Sequence, residues 1–197
     1  KTLELKPDAD GDVLSGGLYQ KLSQAVVNGE LSKNEFIGTV SMLLSVGQDT
    51  AKHLIGNTIY ALFQDDLTRN ISVMTDKELD ALIMECGRQN APVFVLPRVV
   101  KESTSVGDVP VAKGDRIFLI IGAACRDESV FECADEIIPD REKRTKLMFG
   151  HGMHFCIGTY LAQQITRSLI KNLLRDGTFS IADQSFNWLQ SPGLRGL

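Results

Sequence analysis

The sequence predicts a mainly α-helical fold with a small antiparallel β-sheet, and three observations lead to this expectation. Several long stretches repeat apolar residues at helical spacing, some of them after capping boxes of the Ser/Thr-x-x-Glu type. Residues 93–121 are instead rich in β-branched and aliphatic side chains, interrupted by turn-forming glycines. The chain has 197 residues, of which 43% are hydrophobic, so it can bury a core of its own.

The first two predicted helices occupy residues 13–27 and about 33–63. The Asn-Gly pair at 28–29 can end the first helix, and a capping box at 32–35 begins the second. Apolar residues recur on more than one face of the second helix, so we expect it to lie inside the protein. Gly47 lies near its middle, where glycine costs about 1 kcal/mol relative to alanine. A glycine at position 47 therefore needs a structural or functional reason.

The second half of the chain begins with a third helix, about residues 76–88, which a Thr-x-x-Glu capping box opens. The small sheet should follow, with turns at 107–108 and 113–115. Residues 126–146 show no sustained period and should cross the surface as a loop. After them we expect a last long helix at about 158–174 and one or two strands at 179–188.

Charge and cysteine content limit the classes of partner. The chain has 21 basic and 25 acidic residues, a net charge of −4, so nothing favours nucleic acids or anionic lipids as partners. Small molecules and other proteins are the expected partners. The 4 cysteines and the lack of a signal-peptide pattern suit a reducing compartment, so we expect a cytoplasmic location. The apolar runs are far shorter than a membrane span, and no membrane association is expected.

The stretch "FGHGMHFCIG", residues 149–158, carries the strongest chemical signal. Cys156 stands two residues before a glycine that opens a helix, where unpaired N–H groups and the helix dipole favour a thiolate. Thiolates act as nucleophiles or as metal ligands. His154 could serve a nucleophile as base. The three glycines instead suggest that a bulky flat group approaches the backbone, with Phe149 packed against it.

Two other interpretations of this stretch stay open on the residues alone. The cysteine could be an ordinary buried one among turn glycines. A zinc site of His151, His154 and Cys156 is the other, although no second pair of ligands has matching spacing. The whole pattern would arise by chance on the order of once in 10⁸ positions, which favours a specific function.

These residues resemble the haem-thiolate signature of the cytochrome P450 family in its soluble bacterial form. Three further stretches agree in order: "GQDT" at 47–50 resembles the oxygen-activation motif, "ECGR" at 85–88 the Glu-x-x-Arg pair, and "IIPDREKRTKLMFGHG" at 137–152 the meander before the haem loop. The resemblance implies that 1–197 is one incomplete domain, the C-terminal haem-thiolate half of that fold without its N-terminal helices.

The resemblance also implies a haem b cofactor. Cys156 would be the axial thiolate ligand to its iron, and backbone N–H groups around Gly158 would modulate the sulfur. His154 and Arg98 would bind the haem propionates through charge-assisted hydrogen bonds. The implied cofactor-binding residues are Phe149, Gly150, His154, Arg98 and Gly158. Without the motif, His154 and Arg98 would be taken as ordinary surface residues.

Further roles follow from the resemblance. Asp49 and Thr50 would hold water and relay protons, and the glycine at 47 would let the helix bulge to leave space for oxygen. Glu85 and Arg88 would form a buried structural pair that supports the meander. Residues implied to line an apolar substrate pocket are Leu44, Val46, Gly47, Val93, Phe94 and Val95. Each role has another interpretation. Asp49 and Thr50 could form a polar patch on the helix, Glu85 and Arg88 a solvated ion pair, and the pocket residues could be ordinary core.

The implied activity is a monooxygenase that inserts one oxygen atom from O₂ into an apolar substrate. An electron-donor protein, a ferredoxin or flavoprotein, would dock at the basic run 141–146, and the missing N-terminal part of the fold is a further expected partner. A truncated non-catalytic module and a haem-binding or peroxide-using fragment remain alternatives. The sequence departs from the family pattern at two places. The meander arginine that should complete a triad with Glu85 and Arg88 falls at Glu136, and the Asn-Arg-Asp-Pro pattern is replaced by Cys-Arg-Asp-Glu at 125–128.

Overall fold

The computed structural model describes residues 17–65, 67–142, 146–175, 191 and 193–196. Its helices are α1 (Leu18–Val27), α2 (Lys33–Gln64), α3 (Asp76–Gln89), the short α4 (Ile121–Ala124) and α5 (Thr159–Leu174), with 3-10 segments at Leu67–Val73, Leu147–Phe149 and Gly152–His154. Its strands are β1 (Val95–Val99), β2 (Thr104–Val106), β3 (Val109–Val111) and β4 (Arg116–Ile120). The fold is therefore mainly helical with small antiparallel sheets, as predicted. The chain divides into two compact units, Lys1–Gln48 and Asp49–Leu197.

The first unit contains α1 and the first half of α2. The predicted capping box begins α2, since the Ser32 N–H donates to the Glu35 carboxylate at 2.8 Å and the Glu35 N–H donates to the Ser32 hydroxyl at 3.2 Å. Tyr19 and Phe36 meet edge to face at 5.6 Å between ring centroids. The rest of the first half of α2 is largely exposed, Leu44 and other apolar residues included. The expectation that the whole helix lies inside the protein is therefore wrong for this half.

The second unit has two buried apolar clusters, of which the larger lies around α3 and α5. The second half of α2 packs there with α3, α5 and the 3-10 segment Leu67–Val73. Its buried members are Ala61, Leu62, Ile71, Leu79, Leu82, Ile83, Cys86, Ile170 and Leu174. A complete capping box formed by Thr75 and Glu78 begins α3. This packing fixes α3, which carries Glu85 and Arg88, and α5, which follows the loop at 149–158.

The sheet region differs in one respect from the sequence expectation. In the described residues the strands form two separate two-stranded sheets, β1 with β4 and β2 with β3, rather than one sheet. Both pairs are antiparallel, and Gly107 turns the β2–β3 hairpin with a φ of 57°. Residues 179–188, expected to contain strands, lie outside the described residues. In the described part of the chain, no helix is both long enough and apolar enough to cross a membrane.

Candidate functional site

The loop at 149–158 is closed by backbone hydrogen bonds and requires glycine at its first turn. The Cys156 N–H donates to the Phe149 carbonyl oxygen at 2.7 Å. Between them, Gly150 has a φ of 83° and a ψ of −171°, a conformation that is essentially restricted to glycine. A Cβ there would also lie 2.6 Å from the His154 carbonyl oxygen. The hydrogen bond thus closes the loop between residues 149 and 156, and the glycine conformation at 150 allows the chain to turn after Phe149.

The C-terminal end of the loop joins α5. Gly158 occupies the N-cap position, and the Thr159 hydroxyl donates to the Cys156 carbonyl oxygen at 2.8 Å. A Cβ on Gly158 would lie 3.7 Å from the Cys156 Sγ, which is ordinary contact. Gly152 has a φ of 60° with open space around it. The positive φ angles at 150 and 152 explain the glycines there. Gly158 has a φ of −85°, which other residues also adopt, so its backbone conformation does not require glycine.

Cys156 is the cysteine whose surroundings suit an apolar ligand. It is exposed, and its neighbours Phe155 and Ile157 are also exposed apolar residues. By contrast, burial raises the pKa of the Cys86 and Cys125 thiols, which keeps them neutral within the core. The loop therefore presents an accessible sulfur within an apolar surface, next to the first turn of a helix, which fits a flat apolar group carrying a metal ion.

Glu85 and Arg88 are buried together on α3. The Arg88 Nε donates to the Glu85 Oε2 at 3.0 Å, and its Nη2 donates to Oε1 at 2.9 Å. The Arg88 Nη1 also donates to the carbonyl oxygens of Cys125 and Ala134, each at 2.7 Å. A buried guanidinium thus connects α3 to the aperiodic segment that follows α4.

Arg141 completes this cluster, which corrects the sequence expectation that its third member is replaced by Glu136. The Arg141 Nε donates to the Glu85 Oε1 at 2.7 Å. Glu136 contributes only its carbonyl oxygen, which accepts from Arg88 at 3.0 Å and from Arg141 at 3.2 Å. Burial alone raises the pKa of Glu85, but hydrogen bonds from the two arginines outweigh it and hold the pKa below its usual value.

The burial of Arg141 also removes its side chain from the basic run at 141–146 that was predicted to dock an electron donor. Arg141 is buried and donates to Glu85 and to the carbonyl oxygens of Cys133 and Glu136, so its guanidinium is held inside the protein. Residues 143–145 lie outside the described residues, and Lys146 is exposed. Arg141 therefore belongs to the structural cluster and not to a docking surface.

The predicted oxygen-activation residues lie on α2. Asp49 is exposed and forms an ion pair with Lys52 at 3.2 Å, while Thr50 is half-buried. At Gly47 the helix continues as regular α-helix, and an added Cβ would meet nothing within 4 Å. The expected bulge is therefore absent at Gly47. No neighbouring atom would collide with a side chain there either, so neither helix geometry nor close packing explains the glycine.

The residues predicted to line a substrate pocket differ in their surroundings. Leu44 and Val46 are exposed on α2. Val93 is half-buried and forms a β-bridge with Leu194. The Phe94 ring covers Gly122, where a Cβ would lie 2.0 Å from it. Val95 pairs with Ile120 and Arg98 with Ile117 in the β1–β4 ladder, and the Arg98 guanidinium donates to the Pro97 carbonyl oxygen at 2.8 Å.

Two buried polar residues on α2 were not singled out from the sequence. The Asn57 amide donates to the carbonyl oxygens of Asn90 and Arg195, each at 2.9 Å, so it ties the segment at 193–196 to the end of α3. His53 is buried against Gly196, and burial is the main cause of its lowered pKa. The signal that could have found them is their four-residue spacing within the apolar half of a helix.

The zinc interpretation finds no support in the described ranges. Within them, no three His, Cys, Asp or Glu side chains are grouped so that they could hold a metal ion. The Cys156 sulfur would have to act as a single protein ligand to a metal. A pre-assembled cofactor that brings its own equatorial ligands meets that condition, and a bare ion does not.

Comparison with known proteins gives a consistent result. The family model described as Cytochrome P450 matches residues 77–192. The biotin biosynthesis cytochrome P450 of Bacillus subtilis is 31% identical over 172 residues, 85% of this chain and 43% of that protein. Linalool 8-monooxygenase of Pseudomonas putida is 32% identical over 153 residues, 77% of this chain and 38% of that protein.

Solved structures agree with these relatives. CYP109E1 of Bacillus megaterium, crystallised in complex with testosterone, superposes with a TM-score of 0.79 at 28% identity. The superposition covers 85% of this chain and 47% of that one. The chain thus spans less than half the length of each of these three proteins.

Proposed function

The chain belongs to the cytochrome P450 family, and on that basis we propose that it supplies the haem-thiolate part of a monooxygenase. The proposed reaction inserts one oxygen atom from O₂ into an apolar organic substrate. The observation that carries the proposal is the exposed Cys156 on a loop whose shape requires glycine at 150. The whole chain would be one part of a larger domain, with α2 on the oxygen side.

The residues that would hold haem b are those of the loop and one strand. Cys156 would provide the thiolate ligand, Phe149 and Gly150 would contact the macrocycle, and the helix N-terminus at Gly158 would stabilise the charge on sulfur. His154 and Arg98 would bind the propionates. Haem with a thiolate ligand supplies activation of dioxygen, because the sulfur donates electron density that favours O–O cleavage.

The remaining predicted site residues would bind water, transfer protons or hold the segment before the loop in place. Asp49 and Thr50 would hold water and pass protons, with Lys52 paired to the Asp49 carboxylate. The buried cluster of Glu85, Arg88 and Arg141 would keep the segment before the loop in place. Its contribution is structural, since its guanidinium groups donate to Glu85 and to backbone carbonyl oxygens within the chain.

The substrate class is inferred from both the chain and the relatives. An apolar small molecule is consistent with a linalool monooxygenase and a testosterone complex among the similar proteins. In this chain the residues proposed to contact it are Leu44, Val46, Gly47, Val93, Phe94 and Val95. A ferredoxin or flavoprotein would deliver electrons on the cysteine side, at the basic residues that follow Arg141, and the reaction would take place in the cytoplasm.

Haem titration of two matched cysteine variants tests the proposal. Cys156 and Cys133 are both exposed, so Cys156→Ser and Cys133→Ser remove comparable accessible thiols. We expect haem to bind the native chain and Cys133→Ser in a 1:1 ratio, whereas Cys156→Ser weakens binding by about tenfold or more, because an iron–sulfur bond is lost. Equal binding by both variants, or no binding by any of the three proteins, would contradict the proposal.

A further inference from the structure

The second half of α2 carries a row of polar side chains along one of its faces. At 100° per residue, five polar positions there fall within roughly 80° around the helix axis. The rest of this half-helix contributes to the core, where Leu54 and Leu62 are buried. Polar groups in such a place cost free energy unless they bind something. We call the set the polar row of α2, and its members are Asp49, His53, Asn57, Tyr60 and Gln64.

The middle of the polar row is buried and keeps hydrogen-bonding capacity. His53 is 3% exposed and Asn57 is fully buried. The Asn57 amide nitrogen donates to two backbone carbonyl oxygens. Within the described part of the chain, neither the Asn57 Oδ1 nor the His53 Nδ1 has a hydrogen-bond partner. Two such atoms one helical turn apart on the same face are typical of a place that holds ordered water.

The polar row joins a cavity to a predicted site residue. At the C-terminal end of α2, Tyr60 and Gln64 line a cavity of about 240 Å³, whose other polar walls include Asn90. At the other end the row begins at Asp49. Residues four apart are neighbours on a helix surface, so the Asp49 carboxylate and the His53 imidazole lie one turn from each other.

His53 has the charge state that passing a proton requires. Burial is the largest cause that lowers its pKa from the usual 6.5, and the Lys52 ammonium lowers it further, while the Asp49 carboxylate opposes both. The segment packed against the ring at Gly196 carries one charged residue, Arg195, which is also positive. The imidazole is therefore neutral at pH 7. A neutral imidazole has one N–H and one free nitrogen, so it can accept a proton and donate another.

We propose that His53 is a proton-relay residue that passes protons along the polar row from the cavity to Asp49. One ring nitrogen takes a proton from water held beside Asn57, and the other releases its proton to the Asp49 carboxylate. The ring is neutral again after each transfer, and solvent in the cavity supplies the proton. The inference rests on the proposed function, in which Asp49 delivers protons to the reaction, and it adds a source and a path for those protons.

Proton exchange at the His53 ring tests the path without haem. NMR of the chain with isotope-labelled histidine measures how fast the ring N–H exchanges with water in the native chain, Tyr60→Phe and Thr58→Val. Thr58 is the matched control, because it is fully buried on another side of α2 with its hydroxyl bonded to the Leu54 carbonyl oxygen at 2.7 Å. We expect Tyr60→Phe to slow exchange by about tenfold or more, since exchange then needs local opening, and Thr58→Val to leave it unchanged. Equal rates in the two variants would overturn the inference.

The titration of His53 tests whether it shares protons with Asp49. Asp49→Asn should lower the titration midpoint of His53 by about 0.3 pH units or more, because the carboxylate that stabilises the imidazolium is removed. Asp108→Asn, at an exposed position in the β2–β3 turn, should leave the midpoint unchanged. The same midpoint in all three proteins would show that the two side chains are not coupled, and the relay would be wrong.

Haem binding and product formation separate this inference from the proposed function. We expect the native chain, His53→Gln and Thr58→Val to bind haem equally, and His53→Gln alone to lower kcat by about tenfold or more with KM unchanged. An unchanged kcat in His53→Gln would overturn the relay. A native chain that binds no haem or forms no product contradicts the proposed function, and the exchange and titration results then decide the role of His53.

Discussion

At the residue scale, the conformation of Gly150 determines how Cys156 is presented. Its φ of 83° turns the chain after Phe149, and the Cys156 N–H then reaches the Phe149 carbonyl oxygen at 2.7 Å. The glycines in the sequence predicted that a bulky flat group approaches the backbone at residues 149–158. Which glycines the backbone requires was not predictable, because φ depends on the hydrogen bonds that the loop forms.

Gly150→Ala should destabilise the protein by about 1–3 kcal/mol, since alanine would be held in a glycine-only conformation and would contact the His154 carbonyl oxygen. Gly38→Ala is the control. Gly38 is exposed on α2 with open space around it, so this change should be neutral or stabilising by about 0.5–1 kcal/mol. Urea unfolding measures both, and equal effects would contradict the account.

The buried charges around Glu85 make a second prediction at this scale. Arg141→Ala should destabilise the protein by about 1–3 kcal/mol, because the buried Glu85 carboxylate and the carbonyl oxygens of Cys133 and Glu136 each lose a charge-assisted hydrogen bond while Arg88 still pairs with Glu85. Lys101→Ala removes an exposed positive charge and should change stability by less than about 0.5 kcal/mol. Denaturant midpoints with unchanged slopes would measure the difference. If the two variants were equally stable, Arg141 would not belong to the cluster.

The lowered pKa of Glu85 gives a pH dependence with a definite sign. Its contribution to stability is fully present above the unfolded carboxyl pKa of about 4.3 and is lost as the pH falls through the lower folded value. Glu85→Gln should therefore be less stable at pH 7 and lose less stability than the native chain on acidification below about pH 4.3. Unfolding curves across pH 7 to 3 test this, and parallel losses in the two proteins would contradict it.

At the element scale, helix starts were predictable and helix surroundings were not. Both capping boxes are present where the sequence placed them, at the starts of α2 and α3. Burial of the first half of α2 was predicted wrongly, because periodicity shows which side chains need a partner and cannot show whether this chain supplies it. Arg141 was missed for a related reason: it reaches Glu85 across 56 positions, and no local spacing records such a contact.

The α3 capping box predicts the effect of one hydroxyl. Thr75→Ala should destabilise the protein by about 1 kcal/mol, because the Glu78 N–H and the Glu78 carboxylate both lose their hydrogen bond to the threonine hydroxyl. Ser105→Ala removes an exposed hydroxyl from β2 and serves as control, with an expected change near zero. Thermal unfolding of the two variants provides the comparison, and a Tm for Thr75→Ala equal to that of the control would show that the cap adds nothing.

At the scale of the whole molecule, the chain has a complete core around α3 and α5 but leaves apolar rows uncovered on α2 and α5. Its relatives are more than twice as long as the part it matches. The family was predictable because the loop and three ordered motifs carry it between residues 47 and 158.

The proposed function depends on the Cys156 sulfur as the thiolate ligand of haem iron. The most direct measurement is the absorption spectrum of the haem-loaded chain after reduction and exposure to carbon monoxide. We predict the red-shifted Soret band typical of thiolate-ligated haem in the native chain and in Cys133→Ser, and its loss in Cys156→Ala. An unshifted band in the native chain, or a shifted band that persists in Cys156→Ala, would contradict the claim.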